Sequence, residues 1–299
     1  MEIILHRLLF RRDQVIAGTQ PLEYNPHDSF LGEMSVRGES VMLCGMKRIR
    51  WNREQLVKVL ALYCQLPFGK MHARNPAVIA LASKIDRTPA AVAFKLANFA
   101  SLDPELKKRD VGGMPNVSQA DKRTWSEFYG RWEALADESV VDVCAETEAT
   151  LRHHLTMPAS PPSGPTVVDG EVKIRRGQAF FRAAVLAGYE WKCCVTGISA
   201  LELLRASHIV PWSRNPDLRL DPRNGLCLNA LHDAAFDRGL ITFSDNYELC
   251  VSSILKNDIP TAVYLEMFEK RQGMPIATPK RYRPAAEMLE FHRHEVFRG

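Results

Sequence analysis

The chain has 299 residues, 46% of them hydrophobic and 25% charged, with a formal net charge of +4. At roughly 150 residues per domain this is room for two domains with ordinary cores, and no apolar run approaches the ~18 residues of a membrane span. Seven cysteines without a CxxC pair exclude a zinc ribbon and argue against a secreted disulfide framework, so a reducing cytoplasmic setting is expected.

Charge is unevenly spread, at −2 over residues 1–44, +7 over 45–137, −4 over 138–170 and +3 over 171–299. Two basic blocks around an acidic connector suit a phosphate backbone as partner, and suit ordinary solvated surface about equally well. Residues 1–45 show no sustained helical or strand period. Met1–Phe10 is apolar but short, lacks a small-residue cleavage site and runs into Arg11-Arg12, which argues against a signal peptide. This stretch reads as a weakly ordered extension, with Met46 the expected start of the first domain.

From Asn52 to Leu66, apolar residues Leu56, Val57, Val59, Leu60, Leu62 and Tyr63 recur at helical spacing. Asn75-Pro76 opens a second helix running to Ile85, and Thr88-Pro89 caps a third across Ala90–Ala100. This Trp-led trio resembles the helix-turn-helix of Myb/SANT-like DNA-binding domains. The resemblance makes Thr88–Ala100 a recognition helix, with Lys84, Arg87 and Lys95 as basic contacts. A helix pair packed for stability alone is the competing reading. Lys107-Lys108-Arg109 and Lys122-Arg123 add phosphate-binding candidates, while Trp125, Phe128, Tyr129 and Trp132 read as core. Glu138–Leu155 reads as an acidic helix, and the Pro- and Ser-rich stretch 157–165 as a linker. The expected organisation is an extension over 1–45, a basic helical domain over 46–137, an acidic helix and linker over 138–170, and a second domain over 171–299.

In the last segment Arg175–Leu186 reads as an amphipathic helix and Cys194-Val195-Thr196-Gly197 as a strand entering a turn. A short strand ends at His208, a second lies near Leu226, and a helix starts near Ala230. A hairpin then joins Leu240–Phe243 to Tyr247–Ser252 across Ser244-Asp245-Asn246. The predicted fold class is α+β.

Three runs carry the chemistry: Ala206-Ser207-His208-Ile209-Val210-Pro211-Trp212, Asp221-Pro222-Arg223-Asn224-Gly225-Leu226-Cys227-Leu228, and His232-Asp233-Ala234-Ala235-Phe236-Asp237-Arg238-Gly239-Leu240. Asn224 follows His208 by 16 residues, and His232 follows Asn224 by 8. With the flanking Arg176-Gly177-Gln178, Phe181-Arg182 and Cys194–Gly197, they resemble the HNH nuclease family in its bacterial restriction-type branch. The resemblance covers roughly residues 171–299 and implies a ββα-metal site with His, Asn and His on strand, loop and helix. By it, His208 is the general base, Asn224 orients the site or reaches the metal, and His232 is a metal ligand. Asp233 and Asp237, one helical turn apart, are further metal candidates. Arg205, Arg214 and Arg223 are expected to hold phosphates. One departure stands out: many members of the family have Asp or His immediately before the first His, and here that residue is Ser207.

The resemblance implies one divalent ion per site, Mg²⁺ or Mn²⁺ before Ni²⁺ or Zn²⁺, and no small-molecule cofactor. It also implies double-stranded DNA as partner, a homodimer for two-strand cutting, a role in restriction or phage defence, and a nucleoid-associated cytoplasmic location. A non-catalytic, transcription-factor-like DNA binder and an RNA or nicking nuclease are the alternatives.

Overall fold

The computed structural model describes residues 50–109, 116–139 and 168–299, and side chains from 173 onward in the last of these. The expected extension over 1–45, the helix start at Met46, most of the acidic helix and the linker lie outside the described residues. Mixed helix and two small antiparallel sheets give an α+β fold.

The helical half begins with α1 (Arg53–Gln65), capped by Asn52, whose side chain accepts from Gln55 N while Gln55 reaches back to the Asn52 backbone. Asn75 caps α2 (Pro76–Lys84) and Thr88 caps α3 (Pro89–Leu102), each with proline in the first turn. A short α4 (Pro104–Lys107) follows. Then come α5 (Gln119–Phe128) and α6 (Trp132–Glu138), separated by a turn at Gly130, whose φ of 82° breaks the aromatic run into two helices. Trp125, Phe128 and Trp132 are buried, and Tyr129 stacks on Trp125 with ring centroids 4.8 Å apart.

The recognition-helix reading of α3 needs correction. Lys95 is buried and its Nζ lies 2.8 Å from Asp121 Oδ1, inside the bundle beneath Trp51. A cation sealed in an ion pair has no reach to a phosphate. Arg87 lies over the Trp51 ring and donates to Arg50 O and to Gln55 Oε1, so it anchors the start of α1. Lys84 alone of the three is exposed, at the last turn of α2.

The second half opens with α7 (Val168–Gly188), whose Phe180, Phe181, Ala184 and Val185 are buried. Cys194–Gly197 forms a tight turn and not a strand, closed by Gly197 N donating to Cys193 O, with Gly197 at φ 73°. Next come β1 (Leu204–His208), β2 (Gly225–Asn229) and α8 (Ala230–Asp237). After the hairpin β3 (Ile241–Phe243) and β4 (Leu249–Val251), the chain ends in α9 (Leu255–Asp258), α10 (Thr261–Met267) and α11 (Ala286–Glu295). β1 and β2 pair antiparallel, Leu204 opposite Asn229 and His208 opposite Gly225; β3 and β4 pair with Ile241 opposite Val251.

The two halves touch through Arg281, which is buried. Its guanidinium lies over the Tyr63 ring and donates to Tyr63 O and Leu66 O at the end of α1. Those carbonyls have no partner within the helix, and the negative end of the α1 dipole meets the positive charge. Among the described residues no helix is long and apolar enough to cross a membrane.

Candidate active site

β1 is sandwiched between α7 and α8, and the three elements enclose a cleft of about 520 Å³. Its floor is Ala206, Ser207 and His208 of β1. Gln178, Phe181 and Arg182 face it from α7, Asp233 and Asp237 from α8, and Pro211 and Trp212 from the loop after β1. His292 and Val296 form a further wall at the C-terminal end of the chain.

His208 is fixed on three sides. Its ring lies parallel to Phe181, at 6° and 3.9 Å between centroids, and meets Trp212 edge-on at 5.5 Å. Its Nε2 is 2.9 Å from Arg219 O. A carbonyl only accepts, so Nε2 carries the proton and Nδ1 keeps a lone pair in the neutral ring. Burial pulls the imidazole below its ordinary 6.5, against the partly opposing pull of the Arg219 carbonyl. The ring is therefore neutral at pH 7.

Asp233 and Asp237 project from successive turns of α8 into the same cleft. Asp233 is half-buried, and Asp237 stands at the exposed mouth. Partial burial raises both carboxyls, and the charge of Asp233 raises Asp237 further. The Ser207 hydroxyl bonds to the pair, 3.5 Å from Asp237 Oδ1, and lowers both carboxyls. Ser207 thus serves the carboxylates of the neighbouring helix. Two carboxylates that repel each other in a partly dry cleft are a pair that a cation would relieve. An all-oxygen pair suits a hard divalent ion that keeps water or phosphate oxygens in its remaining positions. Among the described residues no group of three or more His, Cys, Asp or Glu converges as a metal cage.

The other two residues of the sequence motif lie elsewhere. Asn224 is 1% exposed and its amide is spent on backbone. Its Oδ1 accepts from Val210 N at 2.7 Å, while its Nδ2 donates to Val210 O and Leu218 O. It ties the two ends of the loop that follows His208, and no atom of its amide is left for a cation. His232 is fully buried, outside the cleft lining. Asn229 Nδ2 lies 2.9 Å from its Nδ1, and its Nε2 lies 2.9 Å from Met267 O at the end of α10. Both ring nitrogens are taken, and burial brings the imidazole down to about 4. The structure therefore does not place His232 or Asn224 as metal ligands; the expected ligand set contracts to Asp233 and Asp237.

Of the three arginines expected at phosphates, only Arg205 lines the cleft, exposed and braced by Glu202 O and Leu204 O. Arg223 pairs with Asp221 outside it, and Arg214 is exposed on the loop beyond Trp212. Sequence reasoning gave no role to Phe181, Arg182, Trp212 or His292. Phe181 and Arg182 had been noted only as part of a flanking motif, and nothing in the local sequence marks His292.

Residues 193–244, from the turn before β1 through β3, match the family model described as HNH endonuclease. No curated protein matches the chain. HNH nucleases generally use a divalent metal, and this domain supports nuclease hydrolase activity on a DNA substrate. By strand, loop, helix and matched segment together, the chain carries an HNH endonuclease domain.

Proposed function

We propose that the protein is a metal-dependent endonuclease that hydrolyses DNA phosphodiester bonds, with His208 activating the attacking water. The observation that carries this reading is the neutral imidazole held by Phe181, Trp212 and Arg219 O beside the Asp233–Asp237 pair. With its Nε2–H committed to Arg219 O, the ring accepts the water proton at Nδ1. The same carbonyl then steadies the imidazolium, because its bond to Nε2–H strengthens when the ring is charged. Asp233 and Asp237 would hold the cation, Mg²⁺ or Mn²⁺ by donor type. Once bound, it stabilises the charge that builds on the phosphate and on the leaving oxygen. Arg205 meets a phosphate oxygen from the β1 side. Asn224 and His232 are positioning residues, for the loop after His208 and for α8 respectively.

The flanking motifs support a role in restriction or phage defence, with the protein acting on DNA in the cytoplasm. One base and one cation cut one strand, so a two-strand break calls for two copies or two successive events. Lys84 and the Lys107–Arg109 run give the helical half a cationic surface for gripping the duplex. Incubation of supercoiled plasmid with Mg²⁺ or Mn²⁺ tests the reading. Nicking that EDTA abolishes is expected. Tight binding without cleavage in any divalent ion would make the protein a DNA binder, and preferential cutting of structured RNA would change the substrate.

A further inference from the structure

The segment that matches the nuclease family begins at residue 193, yet one whole wall of the cleft comes from α7, which ends before it. That wall holds a cation. Arg182 is half-buried, lines the cleft, and donates from Nη1 to Leu204 O at 3.0 Å. Leu204 is the first residue of β1, so the bond fixes the guanidinium against the strand that carries Ser207 and His208. Arg205 lines the same cleft from β1, and the charges of Arg182 and Arg205 both act on the Asp233 carboxyl. Gln178, one turn before Arg182 on α7, lines the cleft as well.

A half-buried arginine beside a carboxylate usually closes a salt bridge, yet no ion pair between Arg182 and Asp233 or Asp237 is formed. Its bonded partner is a carbonyl, which aims the planar fork without neutralising it. The charge therefore remains in the cleft. An anion entering there meets two guanidinium groups on one side and the Asp pair on the other.

We infer that Arg182 is a substrate-binding residue of this cleft, contacting a backbone phosphate next to the bond that is cut. This deepens the nuclease reading and rests on it. The contact makes the long helix before the family domain a working wall of the site. The substrate class it selects is a phosphodiester strand lying along α7 and β1, and Gln178 adds a neutral donor on the same line.

The test compares wild-type protein with Arg182→Gln, Arg182→Lys and the exposed control Lys256→Gln on two readouts. The first is the salt dependence of binding to a short fluorescein-labelled duplex in EDTA. The second is single-turnover nicking of supercoiled plasmid in Mn²⁺. Loss of one phosphate contact should reduce the slope of log affinity against log salt by about 1 in Arg182→Gln. Nicking should slow by roughly 10- to 100-fold, in line with loss of an oriented, charge-assisted contact. Arg182→Lys should keep the salt slope, since its charge remains, and recover only part of the rate, since its fork is lost. Lys256→Gln should match wild type in both. If Arg182→Gln melts early, Arg182→Lys decides, and a wild-type rate in that variant overturns the inference. Equal slopes and equal rates for wild type and a folded Arg182→Gln overturn it while leaving the nuclease reading intact. A wild type that binds DNA but never cuts it removes the nuclease reading, and the binding slope still judges Arg182. A wild type that neither binds nor cuts overturns both.

Discussion

Gly225 faces His208 across the β1–β2 ladder, and the missing side chain there is what lets Phe181 lie flat on the imidazole. A Cβ at position 225 would come within 2.2 Å of Val185 Cγ2 and 3.0 Å of Phe181 Cζ, both on α7. The glycine therefore serves close approach of helix and strand and needs no special φ. Gly225→Ala should push α7 away, costing about 1–3 kcal/mol as an overpacked contact. It should also release His208, so nicking falls by more than the loss of folded protein explains. Circular dichroism melts and single-turnover rates on the same samples check this.

The carboxylate pair makes a prediction with two signs. Asp237→Asn removes the charge that repels Asp233, so in EDTA the variant should melt slightly higher than wild type. Added Mn²⁺ should raise the melting temperature of wild type by ligand linkage and should raise that of Asp237→Asn far less. If Mn²⁺ stabilises both proteins equally, the cation sits elsewhere.

His232 and Asn224 should behave as parts of the frame. His232→Ala leaves Asn229 Nδ2 and Met267 O without their partner in a buried site, and should cost about 2–4 kcal/mol. Asn224→Ala strands Val210 N and O and Leu218 O, with a loss on the same order. In both variants the Mn²⁺-induced rise in melting temperature should survive among the molecules still folded. Its loss in His232→Ala alone, with the fold intact, would return that histidine to the metal.

What the sequence disclosed and what it hid both have physical causes. Helix starts were legible at Asn52, Asn75 and Thr88, because a capping side chain satisfies the first free N–H groups wherever it stands. The strand carrying His208 and the helix carrying the Asp pair were legible from their period and from the motif. The motif names residue types in order but does not say which way each side chain faces. For His232 a signal existed: Ala235 and Phe236 follow it by three and four residues, which puts it on the apolar face of α8. Lys95 gave the same signal, sitting among Val92, Leu96 and Phe99. The cleft walls from α7 and α11 were hidden, since residues 178–182 and 292–296 join β1 only through tertiary packing.

Acid should separate the histidines by role. Burial brings His232 and His292 to about 4, against 6.5 for an unperturbed imidazole. Their contribution to stability is complete above pH 6.5, because there neither the folded nor the unfolded chain binds the proton. As pH falls from 6.5 toward 4 the unfolded chain takes protons that the folded chain refuses, and stability drains by up to about 3 kcal/mol per histidine. The raised carboxyls of Asp233 and Asp237 act with the opposite sign in the acid part of that window. Melting temperatures should therefore hold near neutrality and drop below pH 6. A double variant, His232→Gln with His292→Gln, should flatten the drop even if it lowers the plateau. An unchanged drop in that variant would assign acid sensitivity to other groups.

The most direct measurement is single-turnover nicking at saturating Mn²⁺ by wild type and by His208→Ala, across pH 5 to 8, with DNA binding measured alongside. The account predicts equal binding, a wild-type rate that rises through an acid limb below pH 6.5, and a His208→Ala rate lower by about 10²- to 10⁴-fold with that limb gone. A His208→Ala protein that binds DNA and nicks it at the wild-type rate, with the same pH profile, would contradict it.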